Sequence, residues 1–242
     1  GRQGLTDWFA KRLSVSFFNQ VCGYTPQTNT LFTGLNATTA PSSGNQIWVD
    51  TASNNSDGDE NLASDDVFAL KYIDYAKEMA QTMTVPIRPL KIDGEDKYVL
   101  YLHPYQVTDL RTSTSTGQWL DIQKAVYMGS RDKNPIYSGA LGEYNGVILR
   151  SAFDVTKGAS AAAPTTAVAT VRRAVLLGAQ AASMAFGSWG DTESPYKWVE
   201  KTFDYDRELG ISVQSLMGMK KNVFNSKDFG SVVISSYAAA HT

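Results

Sequence analysis

The run from Tyr98 to Lys124 constrains this chain most, because it fixes a strand, a turn and a helix in immediate succession. Tyr98-Val-Leu-Tyr-Leu reads as a buried strand, and His103-Pro104 as the turn out of it. Tyr105-Gln-Val-Thr-Asp-Leu-Arg111 then reads as a short amphipathic helix. A polar link, Thr112-Ser-Thr-Ser-Thr, leads to a second short helix capped at Thr116. Trp119, Leu120 and Ile122 of that second helix are expected beneath the Tyr98–Leu102 strand. Nothing in the run supplies a nucleophile together with a base.

The surrounding chain alternates between helical and strand periods. Leu5, Trp8, Phe9, Leu13, Phe17 and Val21 recur at three and four, predicting a helix over Leu5–Val21 capped by Thr6 and stopped at Gly23. Tyr24 to Asn61 is rich in Thr, Asn, Ser, Gly and Asp and reads as a long irregular connection. Ser64 followed by two aspartates opens a second helix, stopped by Pro86 and Pro89. Ile87–Ile92 and Lys97–Leu102 flank the polar turn Asp93-Gly94-Glu95-Asp96, so a β-hairpin is expected.

Further on, Gly129 to Gly146 is dense in turn residues and Val147–Leu149 reads as a strand. Lys157 to Ala169 has few large apolar side chains and reads as a mobile loop. Val171 to Phe186 is expected to be a strand followed by a helix, changing near Gly178. Strands are expected over Tyr196–Phe203, Ile211–Met219 and Ser231–Tyr237.

At 242 residues the chain makes one large domain or two intimately joined ones. Aromatics at 11% exceed what a core alone requires, and such side chains are enriched at subunit contacts. A net charge of −2 argues against a dedicated nucleic-acid-binding domain, and the basic pairs Lys11-Arg12, Arg172-Arg173 and Lys220-Lys221 read as solvated. The single cysteine, Cys22, excludes an internal disulfide and reads as a small buried hydrophobe. No apolar run is long enough for a transmembrane helix, and the start carries no signal-peptide pattern.

A search for chemistry finds little. The only histidines are His103 and His241, and His103 before Pro104 reads as a structural hydrogen-bonding residue rather than a triad member. There is no phosphate-binding glycine loop and no histidine pair for zinc. Ser130-x-x-Lys133 and Ser194-x-x-Lys197 lack the companion elements of acyl-transfer enzymes. Asp93, Glu95 and Asp96 read as solvated turn acids. Ser53 to Glu60 alternates oxygen ligands before Gly58, as a calcium loop does, but position 64 is Ser rather than Glu. The expectation is a non-enzyme with no catalytic, cofactor-binding or metal-ligating residues and no cofactor.

In wording and order the Tyr98–Lys124 run resembles a signature of the tailed-bacteriophage major capsid proteins with the Hong Kong 97-like shell fold. The resemblance continues through Asn134-Pro-Ile-Tyr-Ser-Gly-Ala-Leu-Gly-Glu-Tyr-Asn-Gly, Leu176-Leu-Gly-Ala-Gln-Ala-Ala, Phe203-Asp-Tyr and Asp228-Phe-Gly-Ser-Val-Val-Ile. It implies a mixed α+β fold with residues 1–97 as the first part of a peripheral domain containing a spine helix. Residues 98–190 would form an axial domain, and residues 191–242 would return to the peripheral domain. It further implies a chain that starts at the spine helix, without the family's upstream arm and extended loop.

The implied function is a structural subunit of an icosahedral shell around double-stranded DNA, located in the virion and assembled in the bacterial cytoplasm. Its partners would be other copies of itself and scaffolding, portal or decoration proteins, with weak nonspecific DNA contact and no membrane. The alternatives are an encapsulin-like compartment shell and a hydrolase using His103.

Overall fold

The computed structural model describes residues 2–50, 58–92, 94–113, 142–188 and 194–241. Its centre is an eight-stranded mixed sheet. Along its main path run β1 (Gln46–Trp48), β14 (Ser231–Tyr237), β7 (Ala167–Leu177), β3 (Glu95–Leu102), β5 (Val147–Ser151) and β4 (Glu143–Tyr144). β2 (Leu90–Ile92) adds to β3, and β6 (Lys157–Ala159) adds to β7. β1 and β14 are parallel, as are β3 and β5, while β14, β7 and β3 pair antiparallel.

The period of two decides which side chains meet which helix. Leu100 and Leu102 of β3, Ala174 and Leu176 of β7, and Val232 and Ile234 of β14 share one face. That face is covered by α3 (Lys71–Thr82), through Ile73, Ala76 and Ala80, and by Leu110 of α4 (Pro104–Thr112). The intervening residues Tyr101, Val175, Leu177 and Val233 point the other way, onto Phe18, Val21 and Cys22 at the end of α1 (Arg2–Val21). Each face therefore has its own core.

The β2–β3 hairpin forms as expected, with Leu90 opposite Lys97 and Gly94 at φ +84° in its turn. β4 and β5 are joined by Asn145-Gly146, both at positive φ, the two-residue turn whose twist matches flanking strands. Gly23 ends α1 at φ +63°, where an added Cβ would lie 2.7 Å from Pro41.

Several expectations are corrected. α1 begins at Arg2, so Thr6 is not its cap; its hydroxyl donates to the Arg2 carbonyl one turn back. α3 begins at Lys71 rather than Ser64, because the Ala63–Asp66 segment closes on itself as a turn, with Ala63 N donating to Asp66 Oδ2 at 2.8 Å. The irregular connection contains α2 (Thr30–Thr33), β1 and a 3-10 turn at Asp59–Asn61.

Residues 157–169 are not a free loop but the β6–β7 hairpin, with Gly158 and Ala159 buried. The helix expected after Gly178 is instead β8 (Ala182–Phe186), because the chain reverses at Gln180, φ +60°. The second helix after α4, with Thr116, Trp119, Leu120 and Ile122, lies outside the described residues.

Beyond the sheet, β8 pairs with β11 (Met217–Lys221) and β9 (Tyr196–Phe203) with β10 (Glu208–Ser215), both antiparallel. A small hairpin, β12 (Val223–Phe224) with β13 (Lys227–Asp228), leads back to β14. The central sheet takes β1, β2 and part of β3 from residues 1–97, the rest of β3 and β4–β7 from 98–190, and β14 from 191–242. A division at those boundaries therefore cuts between hydrogen-bonded neighbours.

Candidate assembly surface

His103 is the N-cap of α4. Its Nδ1 accepts from Tyr105 N at 3.2 Å, and its own N–H donates to Gln106 Oε1 at 3.0 Å. The ring is 5% exposed and packs edge-on against Tyr105, with centroids 4.6 Å apart. Burial, aided by the Arg172 guanidinium, pushes its imidazole down to about 4, so it is neutral at pH 7. Gln106 then carries the order inward, donating to Ser236 Oγ at 2.8 Å and to the Arg172 carbonyl. These contacts make His103 a structural residue and give the hydrolase reading no support.

The other candidates are likewise engaged in packing. His241 lies near the surface with Nε2 2.8 Å from Asp109 Oδ1. Cys22 is fully buried and its thiol is pushed up to about 11, so it stays protonated. Ser194 is exposed, its Oγ accepting from Tyr196 N, and Ser130 and Lys133 lie outside the described residues. Of the calcium-like loop, residues 53–57 lie outside the description. The two described acids at its end are occupied by protein donors: Glu60 accepts from Ala161 N and Ala162 N, and Asp59 lies in the core.

Asp59 exposes a class of residue that sequence reasoning missed. Its carboxylate accepts from Arg173 Nε at 2.7 Å, Ala159 N at 2.9 Å, Gln46 Nε2 at 3.1 Å and Trp48 Nε1 at 3.2 Å. Arg173 also donates to the Gly23 carbonyl at 2.7 Å. A second buried pair joins Lys221 to Asp228 at 2.9 Å, with Ser42 donating to the same carboxylate. Neither Arg173 nor Lys221 is solvated, contrary to the sequence reading. Period two gives the signal: Arg173 shares its strand face with Val175 and Leu177, so it must point inward.

These knots bind the irregular segment to the sheet and leave the outer surface to other elements. The β9–β10 ribbon sorts its residues by alternation. Tyr196, Trp198 and Glu200 share a face with Leu209, Ile211 and Val213, while Lys197, Val199, Lys201 and Phe203 share the opposite one. The first face meets α1 through the edge-on Phe9–Tyr196 contact, 5.6 Å between centroids, and the Arg2–Glu200 ion pair at 2.6 Å.

Much of the ribbon stays uncovered. Trp198, Phe203 and Leu209 are exposed, as is Trp8 of α1, the residue before Phe9. At the tip, Asp204, Tyr205 and Asp206 all have positive φ, an arrangement that L-residues other than glycine rarely adopt. Tyr205 is fully exposed. Among the described residues β9 and β10 pair only with each other, and the ribbon carries uncovered aromatics of the kind that mark contact surfaces.

Such a body, polar groups tied inward and apolar groups displayed on a ribbon, is that of a building block. Comparison with known proteins names the class. The family described as phage capsid protein matches residues 1–240, and the chain belongs to that family. The major capsid protein of Pseudomonas phage KPP25 is 30% identical over 193 residues, 74% of this chain and 49% of that protein. The chain thus spans about half the length of the curated relative it matches.

Among solved structures, the capsid of Ralstonia phage GP4 superposes with TM-score 0.74 at 29% identity, covering 100% of this chain and 67% of that one. The cyanophage Pam1 capsid asymmetric unit gives 0.71 at 18% identity, covering 99% and 68%. The fold is α+β and Hong Kong 97-like, as the sequence resemblance implied.

Proposed function

We propose that this chain is the body of a shell subunit, polymerising with other copies into an icosahedral bacteriophage capsid around double-stranded DNA. The observation that carries the reading, beside family membership, is the β9–β10 ribbon with its exposed Trp198, Phe203 and Tyr205. A monomeric protein gains nothing by holding a bare tyrosine in a strained conformation, whereas a shell subunit needs several apolar contacts. Permanent interfaces run on the order of 2,000–5,000 Å².

In this reading α1 is the spine helix of the peripheral domain, and the central sheet with α3 and α4 forms the body that faces the capsomere axis. The chain carries a net charge of −2, which suits weak, nonspecific contact with packaged DNA. Scaffolding, portal or decoration proteins would dock on the assembled lattice, which forms in the host cytoplasm. The protein works by binding, not catalysis.

Electron microscopy of the purified full-length gene product tests the reading. Closed shells are expected. A protein that stays monomeric at high concentration, with and without co-expressed phage head genes, would overturn it.

A further inference from the structure

The two-residue turn between β4 and β5 is Asn145-Gly146, and two side chains of α3 hold it. Lys77 Nζ donates to the main-chain carbonyl of Asn145 at 2.7 Å and to its Oδ1 at 3.0 Å. One helical turn earlier, Asp74 Oδ1 accepts from Asn145 Nδ2 at 2.9 Å, and its Oδ2 accepts from the Tyr144 hydroxyl at 3.1 Å. From the sheet, Tyr98 N donates to the Gly146 carbonyl at 3.0 Å. Both ends of the Asn145 amide thus meet a charged group of α3, although the residue itself is exposed.

An asparagine followed by glycine carries latent chemistry. Gly146 has no Cβ to shield its nitrogen, which a rotation about the Asn145 Cα–C bond would bring onto the side-chain carbonyl carbon. Ring closure requires that nitrogen to eclipse Cβ across the bond. The turn forbids this. Asn145 and Gly146 lie at φ +48° and +70°. That is the mirror image of a type I turn, which sets the Asn145 ψ at about +30° and the Gly146 nitrogen nearly trans to Cβ. Rotating ψ to the reactive value swings the Asn145 carbonyl away from Lys77. The Lys77 bond therefore locks the very rotation that the reaction needs.

We propose that Asn145 is a self-modification site, deamidating through a cyclic imide, and that Lys77 and Asp74 set its rate by holding the turn shut. When the turn opens, the Gly146 nitrogen loses its proton to hydroxide and bonds to Asn145 Cγ. The Cγ–Nδ2 bond breaks, and Nδ2 takes a proton from water and leaves as ammonia, which regenerates the hydroxide. Water then opens the imide at either carbonyl, leaving aspartate or isoaspartate, and nothing is oxidised or reduced. The product carries a carboxylate where an amide donated to Asp74, so two like charges face each other. Isoaspartate also adds a methylene to the main chain of a turn that sets the β4–β5 register. The change is one-way, adds negative charge and loosens that edge of the central sheet. It belongs to the folded subunit and does not rest on the shell reading.

The test is incubation of the folded chain at mildly alkaline pH with peptide mapping of residue 145. It compares the wild type with Lys77→Met, Lys77→Arg and Asp74→Ala, and each protein with itself in urea. Lys77→Met should react about tenfold faster than the wild type, the effect of one lost charge-assisted hydrogen bond. Lys77→Arg keeps the donors and should stay slow. Asp74→Ala should fall between, and it reads the same lock should Lys77→Met not fold. In urea all four should share one faster rate. Equal native rates in the wild type and both truncated variants overturn the role of Lys77 and Asp74, as does a native wild-type rate equal to that in urea. Absence of aspartate and isoaspartate at residue 145 in the unfolded chain overturns the site itself.

The product can also be made directly. Asn145→Asp should melt below the wild type and lose hydrogen-exchange protection at the Tyr98 amide, which donates to Gly146. An unchanged midpoint with full protection there would overturn the loosening of the sheet edge.

Discussion

Arg173 Nε and Asp59 Oδ2 meet at 2.7 Å with both side chains almost sealed from solvent, 150 residues after the Gly23 carbonyl that shares the guanidinium. The pair joins the end of α1, the 3-10 turn and the β6–β7 hairpin at one point. Removing one member strands the other charge in the core, which costs roughly 3–5 kcal/mol. Asp59→Ala should therefore unfold at much lower denaturant concentration. The double variant Asp59→Ala/Arg173→Met should lose less than the two single losses added together. Additive losses in urea denaturation would show that the two side chains act independently.

The pH dependence of stability should carry the mark of His103. Its folded imidazole is pushed from 6.5 down to about 4, so between those values the unfolded chain binds the extra proton. Stability from this group is thus fully present above about pH 6.5 and falls as pH drops towards about 4. At one pH unit per 1.36 kcal/mol, the loss approaches about 3 kcal/mol. His103→Asn keeps a capping oxygen but cannot titrate. The variant should be less stable at pH 7, through lost packing on Tyr105, and the gap should narrow at pH 4.5. Parallel stability curves for the two proteins would rule out the neutral, buried histidine as their source.

The sequence disclosed most where period and chain neighbours agreed. β3 and β9 alternate, β14 is a short run buried on both faces, and the β2–β3 hairpin has a polar turn with glycine, so all were legible. The family signature sat on β3 and α4 for the same reason: a buried strand must hand its chain directly to a capped helix. What stayed hidden depended on partners far away in the sequence. Arg173 reads as a surface cation until Asp59 is brought beside it, and Lys221 until Asp228 is. The run Leu176 to Ala182 is rich in helix formers, but its backbone is claimed by neighbours. Gly178 N donates to Gly230 O and Ala179 N to Arg88 O, and these tertiary bonds override the local propensity. The exposed ribbon was legible as strands, not as a contact surface, because exposure is a property of the assembled fold.

Residues 157–169 were misread for a physical reason that can be tested. Small side chains there are not a sign of looseness but the condition for close approach. A Cβ on Gly158 would sit 2.7 Å from Asp59 Oδ2 and 2.9 Å from Val171 Cβ. Gly158→Ala should cost about 1–3 kcal/mol by overpacking against the buried pair. Ala161→Ser, on the exposed turn of the same hairpin, should stay within about 0.5 kcal/mol of the wild type. If both substitutions were silent in equilibrium denaturation, the hairpin would not be held against Asp59.

Tyr205 separates folding from assembly. It is the middle of three consecutive left-handed residues, its φ is +53°, and its side chain touches solvent on all sides. A left-handed L-residue costs roughly 1–2 kcal/mol, while glycine gives back part of that gain through greater freedom when unfolded. Tyr205→Gly should therefore leave the isolated chain as stable as the wild type or up to about 1 kcal/mol more so. Native-state hydrogen exchange at Phe203 and Glu208, which flank the tip, should show no loss of protection. In the full-length gene product the same substitution should sharply reduce the yield of closed shells, because the ring is the most exposed apolar group the ribbon presents. A destabilised tip would mean that Tyr205 serves the fold of its own subunit. Wild-type shell yield with a stable tip would mean that the ribbon makes its contacts elsewhere, through Trp198 or Phe203.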